Sequence, residues 1–265
     1  MLKDITLGQY FPGDTVVHRL DPRTKLILVV LYIIALFNAK GWGSYLLVTA
    51  VTVICMTVSH ISPKNIFKGL KPMLFIIALT AILNIFYTQG TPICEGWIVT
   101  WEGIERAVKM MLRITLLIVG TFLLTYTTSP MALTDGLELL LKPLNKLKVP
   151  VHEMTLMMSM ALRFIPTLIE ETDKIMSAQK ARGADFETGN LIERAKALLP
   201  ILVPLFVSAF RRADELAIAM ESRCYHGGEG RSRMKQLRFC TRDIIALILG
   251  WAFTAAIFVM KHFGL

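Results

Sequence analysis

Apolar residues fall in long blocks along this chain, with polar residues gathered between them. Leu26 to Ala39 is one apolar block and Trp42 to Val58 is the next, separated by Lys40-Gly41. The pattern predicts two helices joined by a tight turn at Asn38 to Gly43. The first is short for a membrane crossing and needs its flanks, or burial in a bundle, to cross. Asp21 precedes it as a cap, with Pro22 at the first helical position, where a missing N–H costs nothing. Ser59 to Pro72 carries Lys64, Lys68 and Lys71 and is expected to be a basic loop. Pro72 to Thr88 is a third apolar block. Thr80 and Asn84 lie four apart in it and should share a face turned into the bundle. Gln89 to Trp101 reads as an external loop with Trp97 and Trp101 at the membrane interface, and Ile98-Val99-Thr100 as a short strand within it.

The second half of the chain mixes apolar stripes with charge. Glu102 to Thr128 has one long helical period. Arg106, Lys109 and Arg113 share a face of its first half, and Ile114 to Tyr126 is strongly apolar. Those three cations are expected to snorkel to a headgroup layer or to pair within the bundle, not to line a substrate path. Pro130 to Leu147 is amphipathic, with Leu133, Leu137, Leu140, Leu141 and Leu144 in helical period. Its acids come early and its lysines late, which suits the helix dipole. Val151 to Arg182 is a long helix with Glu153 and Arg163 in its apolar part and Pro166 placed to bend it. Glu170, Glu171, Asp173 and Lys174 then make it water-exposed, and Gly183 is placed to end it. Asn190 caps the next helix, Leu191 to Ser222. The middle of that helix, Ala197 to Phe210, is apolar except for Ser208 and contains Pro200 and Pro204. It is too short to span and reads as half-buried at the membrane surface or packed under the spans. Glu229 to Arg242 is a basic connector, and Ile244 to Met260 is the last apolar block.

Composition turns this pattern into a class. Apolar residues are 54% of the chain and charged residues 18%, with a mean hydropathy of +0.55. A soluble domain of this length rarely needs so much apolar surface. The expected fold class is therefore all-α: a polytopic helical membrane protein with about five transmembrane helices plus long cytoplasmic helices. The net charge of +9 is interleaved with the apolar blocks, so it reflects basic residues kept on the cytoplasmic side and not nucleic-acid binding. Residues 1–25, 59–71 and 128–242 hold 24 of the 29 lysines and arginines. This predicts the N-terminus inside and the C-terminus outside. The domain reading is an N-terminal transmembrane region at 1–128, with spans near 26–39, 42–58, 72–88 and 108–127. A cytoplasmic or interfacial domain, the one the resemblance given below makes a coupling domain, follows at 129–240, and a C-terminal transmembrane helix at 241–265. Met1 to Leu20 has no apolar h-region and is not expected to be a cleaved signal peptide.

Candidate chemistry is sparse. There is no P-loop, no His-Glu-x-x-His and no Gly-x-Ser-x-Gly. The histidines are scattered, and Cys55, Cys94, Cys224 and Cys240 have neither zinc nor disulfide spacing. No metal site, no cofactor and no catalytic residue is expected in this chain. Two arginine motifs are the sharp signal: Ala181-Arg182-Gly183 and Ser222-Arg223-Cys224, each at the end of a helical run. Aligned on their arginines, the runs match: Asp173 and Asp214 lie nine residues before, Ala178 and Ala219 four before. A single arginine at a helix C-terminus needs no function, because the dipole favours it. Two related runs 41 residues apart change the odds. Nine residues is about two and a half turns, so the aspartates face away from the arginines and leave them for an external acid or carbonyl. Met154, Met157, Met158 and Met160 form a second signal: either an adaptable contact surface for a membrane partner or membrane-embedded core.

These residues carry a family resemblance over most of the chain. Gly8-Gln9-Tyr10 with Pro12-Gly13, His18-Arg19-Leu20-Asp21-Pro22-Arg23-Thr24-Lys25, Leu137-Glu138, Arg163-Phe164-Ile165-Pro166 and Gln179-Lys180-Ala181-Arg182-Gly183-Ala184 resemble the transmembrane T components of energy-coupling factor (ECF) transporters, a class of ABC importer. Ser222-Arg223-Cys224-Tyr225 resembles the second motif of that family but has serine for alanine and cysteine for glycine. The departure bears on the cap geometry and not on the arginine. The resemblance implies a non-catalytic coupling subunit in a prokaryotic cell membrane, bridging two cytoplasmic P-loop ATPases to a small substrate-binding membrane subunit, exchangeable among several, for vitamin or micronutrient uptake. It implies that Arg182 and Arg223 each dock on one ATPase, and that ATP and Mg are bound there and not here. The competing readings are a self-contained secondary transporter or channel using Arg106, Lys109 and Arg113, and a membrane enzyme using His152, Glu153 or Arg163.

Overall fold

The computed structural model describes residues 10–88, 90–91, 100–186, 190–227 and 237–263. Among them the regular structure is helical: α1 (Pro22–Asn38), α2 (Trp42–Val58), α3 (Pro63–Leu70), α4 (Leu74–Tyr87), α5 (Trp101–Thr127), α6 (Pro130–Leu141), α7 (Val151–Ala181), α8 (Leu191–Glu221) and α9 (Thr241–His262). The chain divides into two compact units, 8–140 with 237–265, and 141–236. The expected α-helical class holds. Of the suggested strand, Ile98 and Val99 lie outside the described residues. Thr100 is the N-cap of α5, its hydroxyl accepting from Gly103 N.

The first unit is the span bundle. Pro63–Tyr87, Trp101–Thr127 and Thr241–His262 are long and apolar enough to cross a membrane. α1 and α2 have 17 residues each, about 26 Å of helix against a hydrocarbon core of about 30 Å. Their apolar residues pack on neighbouring helices: Ala35, Leu36, Tyr45, Val48, Leu116 and Ile257 form one buried cluster of α1, α2, α5 and α9. Two glycines set how closely these helices approach. A Cβ on Gly120 would collide with the Tyr32 ring, and one on Gly250 with Leu28 Cδ2. The Tyr32 hydroxyl donates to the Leu116 carbonyl at 2.9 Å and lies 3.0 Å from the Thr52 hydroxyl. The outer face stays apolar, with Leu46, Phe75, Ile82, Ile245 and Leu249 exposed. Such a surface is stable against lipid and not against water.

Of the basic stretch expected as a loop, Ser59 to Pro72, the part Pro63–Leu70 is an α-helix instead. Pro63 starts α3, and Ile66 and Leu70, four apart, are buried at 3% and 8% exposure. They join Ile77, Val119 and Tyr126 in a second apolar cluster, while Lys64 and Lys68 stay exposed. A short 3-10 turn over Lys71–Met73 leads into α4. The amphipathic pattern wins over the lysine content, because only one face needs to be apolar. Thr80 and Asn84 are half-buried and spend their hydrogen bonds on carbonyls of their own helix. α6, placed with the coupling region by its sequence position, belongs almost wholly to the span unit.

The second unit is built on α7 and α8, each of 31 residues. They run antiparallel. Glu171 of α7 accepts from Ser208 and Arg212 of α8, and eight residues further along α7 Gln179 Nε2 donates to the Pro200 carbonyl. α7 runs through Pro166, and α8 through Pro200 and Pro204. The Asn190 amide donates to Glu193 Oε2 at 3.0 Å, which satisfies one donor at the start of α8.

Candidate functional site

The two arginine motifs share one backbone geometry. At the end of α7, Gly183 N donates to the Lys180 carbonyl at 3.0 Å and Ala184 N to the Gln179 carbonyl at 3.0 Å. At the end of α8, Cys224 N donates to the Glu221 carbonyl at 2.8 Å and Tyr225 N to the Met220 carbonyl at 3.0 Å. Each is the nested bond pair of a Schellman ending. The residue after each arginine is left-handed: Gly183 at φ +90° and Cys224 at φ +58°. The cysteine that breaks the sequence pattern therefore takes the conformation that glycine takes in the first motif.

This geometry aims both arginines outward. The chain turns off the helix axis at the next residue, and the last helical carbonyls are already occupied. Arg182 and Arg223 are both exposed, and neither guanidinium makes a hydrogen bond or ion pair among the described residues. Asp173 and Asp214 form no ion pair with them there. Because α7 and α8 run antiparallel, the two motifs stand at opposite ends of the pair. The Glu171–Ser208 and Gln179–Pro200 contacts fix the register. It places the arginines on the order of 40 Å apart along the helices, at 1.5 Å per residue.

What fixes that separation is a polar crosslink that sequence reasoning missed. The Ser208 hydroxyl donates to Glu171 Oε1, and Arg212 Nη2 to Oε2 at 3.0 Å. The Ser208 hydrogen bond first, then Arg212, hold the Glu171 carboxyl below the usual carboxylate range, against the opposing effect of desolvation. The available signal was Ser208 as the one polar residue in the apolar run 197–210. Of the methionines, Met154, Met157 and Met158 are exposed at 49%, 62% and 44%, and Met160 is half-buried.

Two of the α5 cations, Lys109 and Arg113, have partners among the described residues. Lys109 pairs with Glu105 at 2.6 Å, and Glu105 also accepts from the Trp42 indole at 3.2 Å. Arg113 donates to the Ala39 carbonyl at the end of α1 and lies over the Tyr45 ring. Of the two expected outcomes, snorkelling or pairing, Arg113 shows pairing across helices and Lys109 a pair with Glu105 of its own helix. Arg106 is exposed beside Asn84, Tyr87 and Thr88. No group of three histidines, cysteines or acids among the described residues could hold a metal ion.

The comparisons agree with this architecture. A family model described as cobalt transport protein (CbiQ) matches residues 13–235. The energy-coupling factor transporter transmembrane protein EcfT of Ruminiclostridium cellulolyticum is 53% identical over 264 residues, covering 99% of each chain. The protein of that name from Clostridium kluyveri is 56% identical over 250 residues, covering 93% of each. The one from Bacillus subtilis is 46% identical over 264 residues, covering 98% of this chain and 100% of its own. With its apolar spans, its helical fold and a match along nearly its whole length, this chain belongs to the CbiQ family of membrane transport proteins, as a transmembrane T component of the energy-coupling factor type.

Proposed function

We propose that this chain is the non-catalytic coupling subunit of an ECF-type importer. It transmits ATP-driven motion from two cytoplasmic P-loop ATPases to a small substrate-binding membrane subunit that takes up a vitamin or micronutrient. The observation that carries the reading is the pair of exposed arginines, without a partner among the described residues, on matching Schellman ends at opposite ends of one helix pair. A planar guanidinium fork suits carboxylates and carbonyls in a groove of a partner. Two such forks on the order of 40 Å apart suit two separate partners rather than one small pocket. ATP and Mg belong to those partners. Met154, Met157, Met158 and Met160 are the surface proposed for the substrate subunit, where adaptable side chains would let several such subunits exchange. The basic excess in residues 1–25, 59–71 and 128–242 supports a cytoplasmic position for the coupling helices and for the N-terminus in a prokaryotic cell membrane.

The test is co-purification from the native membrane in mild detergent, followed by reconstitution. Wild type should bring down two P-loop ATPases and at least one small membrane protein. The double variant Arg182→Ala/Arg223→Ala should keep the small membrane protein, lose the ATPases, and lose ATP-driven uptake. Retention of both ATPases and of uptake by the double variant would overturn the assignment.

A further inference from the structure

Four charged side chains gather where α1 and α9 begin and α5 ends. Asp21 caps α1 and is 6% exposed. Its carboxylate takes a two-pronged grip from Arg23, with Nε to Oδ1 at 3.1 Å and Nη2 to Oδ2 at 3.0 Å. Asp243, 2% exposed in the first turn of α9, accepts from Cys240 N and from Asp21 N, both at 2.8 Å. One carboxylate thus joins the N-terminal ends of two helices through a bond between residues 222 apart in sequence. Lys25 ties in α5, donating to the Thr127 carbonyl at 2.8 Å and to the Thr128 hydroxyl and His18 carbonyl at 3.1 Å.

Arg23 has a further hold that the three helices do not need. Its Nη2 donates to the Leu237 carbonyl at 3.0 Å, and its guanidinium lies 4.1 Å over the Phe239 ring. Leu237 to Phe239 are not helical. They are the first residues of the span unit after the chain returns from the coupling helices, because the boundary falls between Gln236 and Leu237. The outgoing connection meets the same place. Four residues before the exit at Leu140, Gly136 of α6 lies so close to α1 that a Cβ would stand 2.8 Å from Pro22 Cβ and 3.2 Å from Arg23 N. The returning connection is therefore fastened at Arg23, and the outgoing one passes close against Pro22 and Arg23. An irregular segment with no such hold takes up displacement as slack. One gripped by a planar, multiply bonded guanidinium does not.

We propose that Arg23 is a positioning residue for coupling: it anchors the returning connector to the start of α1, so that movement of the coupling helices is delivered to the spans. The proposal rests on the coupling reading above.

The test uses the co-purified complex in liposomes, with ATP inside or outside and tritiated riboflavin, folate and biotin offered separately as probes. Uptake, ATP hydrolysis and subunit content are measured together. Arg23→Ala should lower uptake per ATP hydrolysed by roughly tenfold, the scale of a broken coupling, with hydrolysis and subunit content retained. Arg23→Lys keeps the charge without the fork and should fall between. Arg23→Ala leaves Asp21 buried and unpaired, which also threatens the fold. Phe239→Ala therefore decides the matter, because it spares the Asp21–Arg23 pair and Phe239 is 50% exposed. Its expected effect is a roughly threefold loss of uptake per ATP. Unchanged uptake per ATP in Phe239→Ala, or a loss that only follows missing subunits, would overturn the anchor. A wild-type complex without ATPases or ATP-driven uptake would instead overturn the coupling reading itself.

Discussion

Replacing Gly183 by alanine should fray the last turn of α7, and replacing Cys224 by glycine should tighten the last turn of α8. Both positions hold positive φ, +90° and +58°. A residue with a Cβ loses roughly 1–2 kcal/mol in the left-handed region. Against this, glycine costs about 0.4–1 kcal/mol through the freedom of the unfolded chain. Between the midpoints of those ranges the net difference is about 0.8 kcal/mol in favour of glycine at either site. A Cβ on Gly183 would meet no atom within 4 Å, so strain and not collision sets its cost. The amides of Gly183, Ala184, Cys224 and Tyr225 are bonded back into the helix ends, and their exchange reports the closed state. Hydrogen–deuterium exchange followed by mass spectrometry should show exchange roughly two- to tenfold faster around 183–184 in Gly183→Ala. Around 224–225 it should be slower by a similar factor in Cys224→Gly. Unchanged exchange in Gly183→Ala, or faster exchange in Cys224→Gly, would refute the claim that left-handed residues hold these ends.

Three further outcomes follow from the span unit. Gly120→Ala should push the Tyr32 ring away from α5, cost about 1–3 kcal/mol and lower the melting temperature in detergent. Tyr32→Ala should cost less in that background than alone, and an additive double-mutant cycle would refute the contact. Lys25→Met orphans the buried ends of α5 and the turn before α1, at about 1–3 kcal/mol for each acceptor left unpaired. A thermal scan indistinguishable from wild type would contradict this. His18 donates through Nε2 to the Phe11 carbonyl and accepts at Nδ1 from Thr15, and burial pushes its pKa below 6.5. Because the folded form favours the neutral ring, its contribution is present above 6.5 and is lost as pH falls through the lower folded value. Limited proteolysis near residues 10–20 should quicken at about pH 5 relative to neutral pH, and His18→Asn should abolish the difference.

The alternation of apolar blocks and charged connectors by itself determined the helical class, the apolar spans and the ends of α7 and α8, because burial in lipid is written residue by residue. It also marked Arg182 and Arg223, since a repeated local run can be read without knowing what lies across from it. That Arg106, Lys109 and Arg113 would either snorkel or pair was legible as well, because unpaired cations along an apolar helix are costly; which of the two each does was not. The helix at 63–70 was not read, although Ile66 and Leu70 carry its signal: three lysines in a short stretch look like a loop until an apolar cluster is there to receive the other face. Only the tertiary structure decided that Asp21 and Asp243 share a node, that Ser208 meets Glu171, that Gly120 makes room for Tyr32, and that Cys224 adopts the conformation of Gly183. Each of these depends on a partner far along the chain, or on a backbone angle that side-chain identity does not dictate. Periodicity tells which face of a helix is buried, whereas packing alone tells against what.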